Sequence, residues 1–148
     1  MTMGATFGAQ PFTVYIVGQS SSGAGQQQFY GDVTNNVTGP YWTGAGWSLF
    51  GGSSLSSGNA TRSPAVFAAK WNGASSSIFV GAITALATGN AGSNNPASTQ
   101  ALGCYAGTAD YLNGKMTAFI IDAGVDDPSF FAREMTWLAS RYALAIGK

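Results

Sequence analysis

The sequence predicts an all-β fold, an antiparallel β-sandwich closed by one C-terminal amphipathic α-helix, and three observations carry that expectation. Between Pro11 and Asp122, short runs of β-branched and aromatic residues are separated by Gly, Ser and Asn clusters, the pattern of many short antiparallel strands. After Asp122 the apolar period lengthens from that of a strand to that of a helix. Charge changes at nearly the same place: residues 1–109 hold only Asp32, Arg62 and Lys70, and residues 110–148 hold the other nine charged groups. A length of 148 residues fits a single domain over residues 1–148, with strands at about 11–122 and the helix at about 128–144.

Strands are expected near Phe12–Val17, Gln27–Val33, Trp47–Phe50, Pro64–Trp71, Ser76–Val80, Ile83–Ala87, Gln100–Tyr105 and Lys115–Asp122. In the first, Phe12, Val14 and Ile16 share one face and Thr13, Tyr15 and Val17 the other, so both faces carry apolar groups. In the last, Met116, Ala118 and Ile120 alternate with Thr117, Phe119 and Ile121. Both strands are therefore expected at the centre of a sheet. Asn72-Gly73 suits a type I′ turn and Gly81-Ala82 a type II′ turn, each closing a tight hairpin. Residues 51–63 and 89–98 are loops by composition.

The helix has a readable start. Asp126 and Asp127 offer N-cap carboxylates at the positive end of the helix dipole, and Pro128 fits the first helical position. Phe131, Met135, Leu138 and Tyr142 then fall on one face, flanked by Phe130 and Trp137, and form the face expected to dock on the sandwich. A membrane-binding helix needs a basic polar face, and Glu134 beside Arg141 makes this one mixed.

Composition excludes much chemistry. There is no His, which removes Ser-His-Asp and Cys-His catalysis and His-ligated zinc. Net charge is zero and charged residues make up only 8%, so no basic stripe is present to neutralise phosphates or to hold a membrane electrostatically. The single cysteine, Cys104, forms no internal disulfide and reads as a small buried hydrophobe. No apolar run approaches the roughly 20 residues of a membrane span, and residues 1–10 lack the basic and apolar regions of a secretory signal, so a soluble chain is expected.

The strand Gly114-Lys115-Met116-Thr117-Ala118-Phe119-Ile120-Ile121-Asp122, a short loop with Asp126-Asp127-Pro128, and a helix ending Leu138-Ala139-Ser140-Arg141-Tyr142-Ala143-Leu144 follow one another in a characteristic order. This order resembles the C-terminal signature of the concanavalin A-like lectin/glucanase superfamily, in its LamG-like jelly-roll branch. Phe79-Val80-Gly81 and Leu102-Gly103 sit where that family has a hairpin and an aliphatic-Gly pair. The acidic residue that the family often carries in its last strand is replaced by Ala118, and its opening strand has no counterpart before Pro11. The resemblance thus implies a sandwich with an open edge, covered by a neighbouring copy or by another protein. Segments such as Trp71-Asn72-Gly73-Ala74-Ser75-Ser76-Ser77 and Gly89-Asn90-Ala91-Gly92 are similar in style to jelly-roll modules in structural proteins of tailed bacteriophages, used for decoration, fibres and tails.

Glucanases share this fold, but their chemistry needs two carboxyl groups flanking the scissile bond. No strand here carries acids at i and i+2, and the one glutamate, Glu134, lies on the helix. No enzymatic activity and no catalytic residue are expected. Calcium is the one cofactor the resemblance raises, with Asp122, Asp126 and Asp127, or Asp110 with Asn113, as candidate ligands; capping and turn-making are their ordinary roles. Sugar stacking requires an exposed aromatic beside polar loops, and Tyr41 and Trp42 in Pro40–Trp47 have that character, with Trp42 its exposed member and Trp47 a core residue; since aromatics dominate cores and interfaces alike, burial or a subunit contact is the preferred reading of the pair. Asn36-Val37-Thr38 and Asn59-Ala60-Thr61 match the glycosylation sequon by chance in a chain so rich in these residues.

The expected role is a non-enzymatic bacteriophage virion protein of the capsid-decoration or head-fibre type, on the particle surface, with loops near residues 53–62 and 89–98 facing outward. Its partners would be a major capsid or other virion protein and further copies of itself in a homo-oligomer, with no nucleic acid and no membrane. The alternative is a lectin-like carbohydrate-binding adhesion module of a tail or cell-surface protein, with a glycan as partner.

Overall fold

The computed structural model describes residues 2–4 (backbone), 9–21, 25–34, 37–58, 62–97, 99–104, 110–124 and 127–147. Among these residues the chain forms strands β1 (Thr2–Gly4), β2 (Phe12–Ser20), β3 (Gln27–Gln28), β4 (Tyr30–Asp32), β5 (Thr38–Trp42), β6 (Trp47–Phe50), β7 (Ser54–Ser56), β8 (Ala65–Trp71), β9 (Ser76–Val80), β10 (Ala87–Gly89), β11 (Thr99–Leu102) and β12 (Gly114–Ala123). One helix follows, α1 (Pro128–Arg141). The strands make two antiparallel sheets packed as a sandwich. One runs β10-β9-β8-β2-β12; the other runs β1-β11-β4-β5-β6-β7, with β3 also paired to β5.

Alternation along β2 explains why there are three layers. Phe12, Val14 and Ile16 point between the sheets and meet Phe67 and Trp71 of β8, Ile78 of β9, and Phe29, Tyr30, Trp42, Trp47 and Leu49 of the other sheet. Aromatic rings interlock there: Phe12 stacks on Trp71 at 4.8 Å, Phe29 on Trp47 at 5.3 Å, and Trp47 lies 4.6 Å from Phe67. The Trp71 indole donates to the Phe50 carbonyl at 3.1 Å, tying one sheet to the other. Each buried ring of this size removes about 150–250 Å² from water, so these side chains dominate the favourable free energy of the sandwich. Tyr15 and Val17, on the opposite face of β2, join Val66, Ala68 and Phe79 beneath Phe131, Met135, Leu138 and Ala139 of α1.

Capping sets both ends of α1. The Asp127 carboxylate accepts from the Ser129 N–H at 2.8 Å, and Pro128 occupies the first turn. The helix stops at Arg141, short of Leu144, because Ala143 takes a left-handed φ of 53°. Ala143 N–H then donates to Ser140 O and Leu144 N–H to Ala139 O, a Schellman motif. The chain beyond it reaches Gly147, which exchanges hydrogen bonds with Gly81 and Ile83 in the connection after β9.

Several expectations are corrected. A strand does precede Phe12: β1 lies at the edge of the larger sheet, paired with β11. β2 is central, as expected, but β12 is an edge strand that pairs, among the described residues, with β2 alone. Its two faces are both apolar because one meets the core between the sheets and the other the layer under α1; a bulge at Thr117 moves Met116 from the second face to the first. The stretch Gln27–Val33 divides into β3 and β4 at Phe29, whose N–H donates to Pro40 O. Thr38–Trp42 is a strand despite Pro40, because the pairing with β6 shifts register between Thr38 and Tyr41, and proline is tolerated at such irregularities. Ser54–Ser56 within the expected loop pairs with β6, and the strand expected at Ile83–Ala87 lies at Ala87–Gly89. Asn72 has φ −149°, so the β8–β9 connection is a 3-10 turn over Gly73–Ser75 and no type I′ turn. The β9–β10 connection spans residues 81–86, longer than a two-residue hairpin, because its backbone pairs with the C-terminal tail.

Candidate docking surface

The site that stands out is the outer edge of β12. Ten residues long, it carries Lys115 near one end, Asp122 near the other, and Met-Thr-Ala-Phe-Ile-Ile between them. Two glycines allow β12 to lie tightly on β2. A Cβ on Gly114 would meet Gln19 O at 2.0 Å, and one on Gly18 would meet Lys115 O at 2.6 Å. The pairing register skips one residue: Met116 lies opposite Gly18 and Ala118 opposite Val17, leaving Thr117 as the extra residue of a β-bulge. Consecutive residues of β2 face opposite ways, so Met116 and Ala118 do too. Met116, Phe119 and Ile121 accordingly pack into the core between the sheets, and Ala118 and Ile120 into the layer under the helix. All are only partly buried. Phe119 rests on Tyr30 at 5.5 Å, and Leu102, Met116, Thr117, Ala118 and Phe119 wall an apolar depression of about 310 Å³.

Of the two readings of Tyr41 and Trp42, the structure favours burial over an exposed stacking platform. Trp42 is buried at 2% exposure, edge-on to Trp47 at 5.4 Å, with the Arg62 guanidinium 5.7 Å from its ring centre. Tyr41 is buried as well, its hydroxyl 3.3 Å from Ser54 Oγ. β5 is flanked by β3, β4 and β6, which encloses both rings, so neither is available to stack on a sugar. Trp47 is core, as expected.

Asp122 lies in β12, Asp127 caps α1, and Asp126 falls outside the described residues. No group of three or more acidic, Cys or His residues that could hold a metal ion occurs among the described residues. The Asp127 carboxyl is held below its usual range, first by the Ser129 hydroxyl and then by the Ser129 N–H. Its contribution to the helix start is therefore complete above the unfolded value and fades as pH falls through the lowered one. Asp32, the sole acid of residues 1–109, is buried and accepts from Thr34 N–H, Thr34 Oγ1, Val37 N–H and Ala97 N–H at 3.0–3.1 Å, which pins the loops around it. Burial, and after it the Asp32 charge, pushes the neighbouring Tyr30 hydroxyl far above its ordinary range. Cys104 is buried beside Leu102 O. Asn36 and Asn59–Thr61 lie outside the described residues.

Loops 51–58 and 89–97 pack on each other at one rim: Ser53 N–H donates to Ala91 O, and Asn94 N–H to Gly51 O. The Gln10 side chain clamps them, donating to Asn94 O at 2.7 Å and Gly92 O at 3.2 Å while accepting from Gly73 N–H. Ser53, Asn90, Asn94 and Asn95 remain exposed there.

Two large aromatics are exposed among the described residues: Tyr111 at 63%, which the sequence did not single out, and Trp137 at 55%, which was expected to flank the docking face and instead faces outward. Trp137 was legible as outward-facing, since at helical spacing it lies about 130° around α1 from the centre of the Phe131–Tyr142 stripe. It borders a shallow surface depression with Ala132, Arg133, Thr136 and Ser140. No helix among the described residues is long and apolar enough to cross a membrane. No protein-family model matches the sequence, and no curated protein matches it significantly.

Proposed function

We propose that this chain is a non-enzymatic structural protein of a bacteriophage virion, of the capsid-decoration or head-fibre type, that works by packing against a major capsid or other virion protein and against copies of itself on the particle surface. The observation that carries the reading is the ten-residue apolar edge of β12 on a sandwich whose first 109 residues hold three charged groups. Such a surface offers hydrogen-bonding strand edge and apolar area with little charge to repel a neighbour. The style of the Gly/Ser/Asn segments supports the phage setting. Mass spectrometry of purified virions whose genome encodes the chain is expected to recover it in fixed proportion to the capsid protein, and retained at high salt because few ion pairs are involved. Loss from particles at moderate ionic strength, or absence from them, counts against the proposal. Trp137 favours a second reading, an adhesion module that stacks a glycan on the outer face of α1; glycan binding abolished by Trp137→Ala would support it.

A further inference from the structure

Among the described residues, three of the four sheet ends are blunted by length. β1, β7 and β10 are three residues long, a common protection against edge-to-edge pairing. β12 is the exception. It runs ten residues, pairs with β2 on one side only among the described residues, and has neither charge nor proline from Met116 to Ile121. An extended strand is the chemical complement of such an edge, and the placement of its two charges says which strand.

Two antiparallel copies of one edge strand are related by a two-fold axis perpendicular to the sheet, which keeps every side chain on its own face. Residues brought opposite each other must therefore already share a face. Lys115 and Asp122 are seven residues apart and in a regular strand would point to opposite faces. The bulge at Thr117 removes that obstacle. Lys115 lies opposite Gln19, and Ala118, Ile120 and Asp122 lie opposite Val17, Tyr15 and Thr13, all odd-numbered residues of one face of β2. Lys115 and Asp122 thus end up on the same, helix-bearing face.

We propose that β12 pairs antiparallel with β12 of a second copy about a two-fold axis at Phe119, joining two five-stranded sheets into one of ten strands. In this register Lys115 lies opposite Asp122 of the second copy, Met116 opposite its Ile121, Ala118 opposite its Ile120, and Phe119 opposite its own counterpart. Every pair matches in face, and the two charges of the strand each meet the opposite sign, twice per dimer. Ile121 of the second copy is brought to the depression walled by Leu102, Met116 and Phe119. A parallel arrangement would set Lys115 beside Lys115, and like charges placed opposite destabilise a sheet. The apolar pairs supply affinity and the charge pairs fix register. The inference rests on the reading of the chain as a self-packing module and adds the partner, the edge and the register.

Sedimentation of the full chain tests it. A dimer is expected; Lys115→Asp, which sets like charges opposite at two places, should weaken it about tenfold, and Lys115→Asp with Asp122→Lys should restore it. Both positions are strand-end residues, so circular dichroism should show all three proteins folded. In a Cys104→Ala background, Phe119→Cys should give a disulfide-linked dimer on mild oxidation, because residues directly opposite have Cα atoms about 4.5–5.5 Å apart, within disulfide reach. Ile121→Cys should not, since Met116 is its opposite number. A dimer indifferent to Lys115→Asp and not cross-linked at position 119 overturns the register while leaving self-packing intact. A chain that stays monomeric at several hundred micromolar overturns the dimer, and its recovery with virions would then still stand or fall on its own.

Discussion

β2 and β12 lie side by side in one sheet, and each sends apolar side chains both between the sheets and under the helix, yet their settings differ. From Phe12 to Val17, β2 is closed on both faces and hydrogen-bonded on both sides, to β8 and to β12. β12 is closed on neither face completely and, among the described residues, is bonded on one side. The difference teaches that periodicity in sequence reports faces and is blind to edges. A strand with two apolar faces is either central or an edge waiting for a neighbour, and only topology separates the two.

The comparison is tested hardest by the same truncation in each strand. Ile16 of β2 is fully buried between the sheets, so Ile16→Ala should cost about 2–5 kcal/mol in urea denaturation, from lost transfer free energy and the cavity left behind. A loss below about 1 kcal/mol would mean that the core collapses around the gap or that β2 is not its centre. Ile121→Ala, on the same inner face but partly exposed, should cost less, about 1–2 kcal/mol for a dilute monomer. The two values should approach each other as protein concentration rises, because a second β12 covers Ile121 and leaves Ile16 unchanged. A gap that stays constant with concentration would mean that the edge remains open.

The same contrast explains how much of the fold was legible. Trp47–Phe50 and Ser76–Val80 could be placed to the residue because bulky alternation is bounded by Gly or Ser on both sides. The α1 stripe was legible because Asp127 and Pro128 mark its start and Phe131, Met135 and Leu138 repeat at helical spacing. Thr38–Trp42 was not, because Gly39-Pro40 reads locally as a turn, and only pairing with β3, β4 and β6 makes it a strand. For the same reason Trp42 could be read either as a buried ring or as an exposed loop aromatic: its burial comes from strands distant in sequence. The candidate surface on β12 was half legible. Its apolar length was evident, but the bulge that sorts Lys115 with Asp122 is a property of the pairing with β2.

The smallest expected effect is also the most discriminating. Deleting a residue from a regular strand turns every side chain on one side of the deletion to the opposite face. Thr117 should be an exception, since Met116 and Ala118 already lie opposite consecutive residues of β2, Gly18 and Val17. With Thr117 removed, the ladder closes without exchanging faces: Met116, Phe119 and Ile121 keep their place in the core, and Lys115 stays on the face of Asp122. The deletion variant should therefore fold with a stability change below about 1 kcal/mol and keep its dimer. Removing Ile120 instead, three positions away on the same strand, exchanges the faces of Lys115 through Phe119 and should unfold the edge. If the two deletions prove equally damaging, Thr117 is not the inserted residue, and the pairing of charges built on it fails as well.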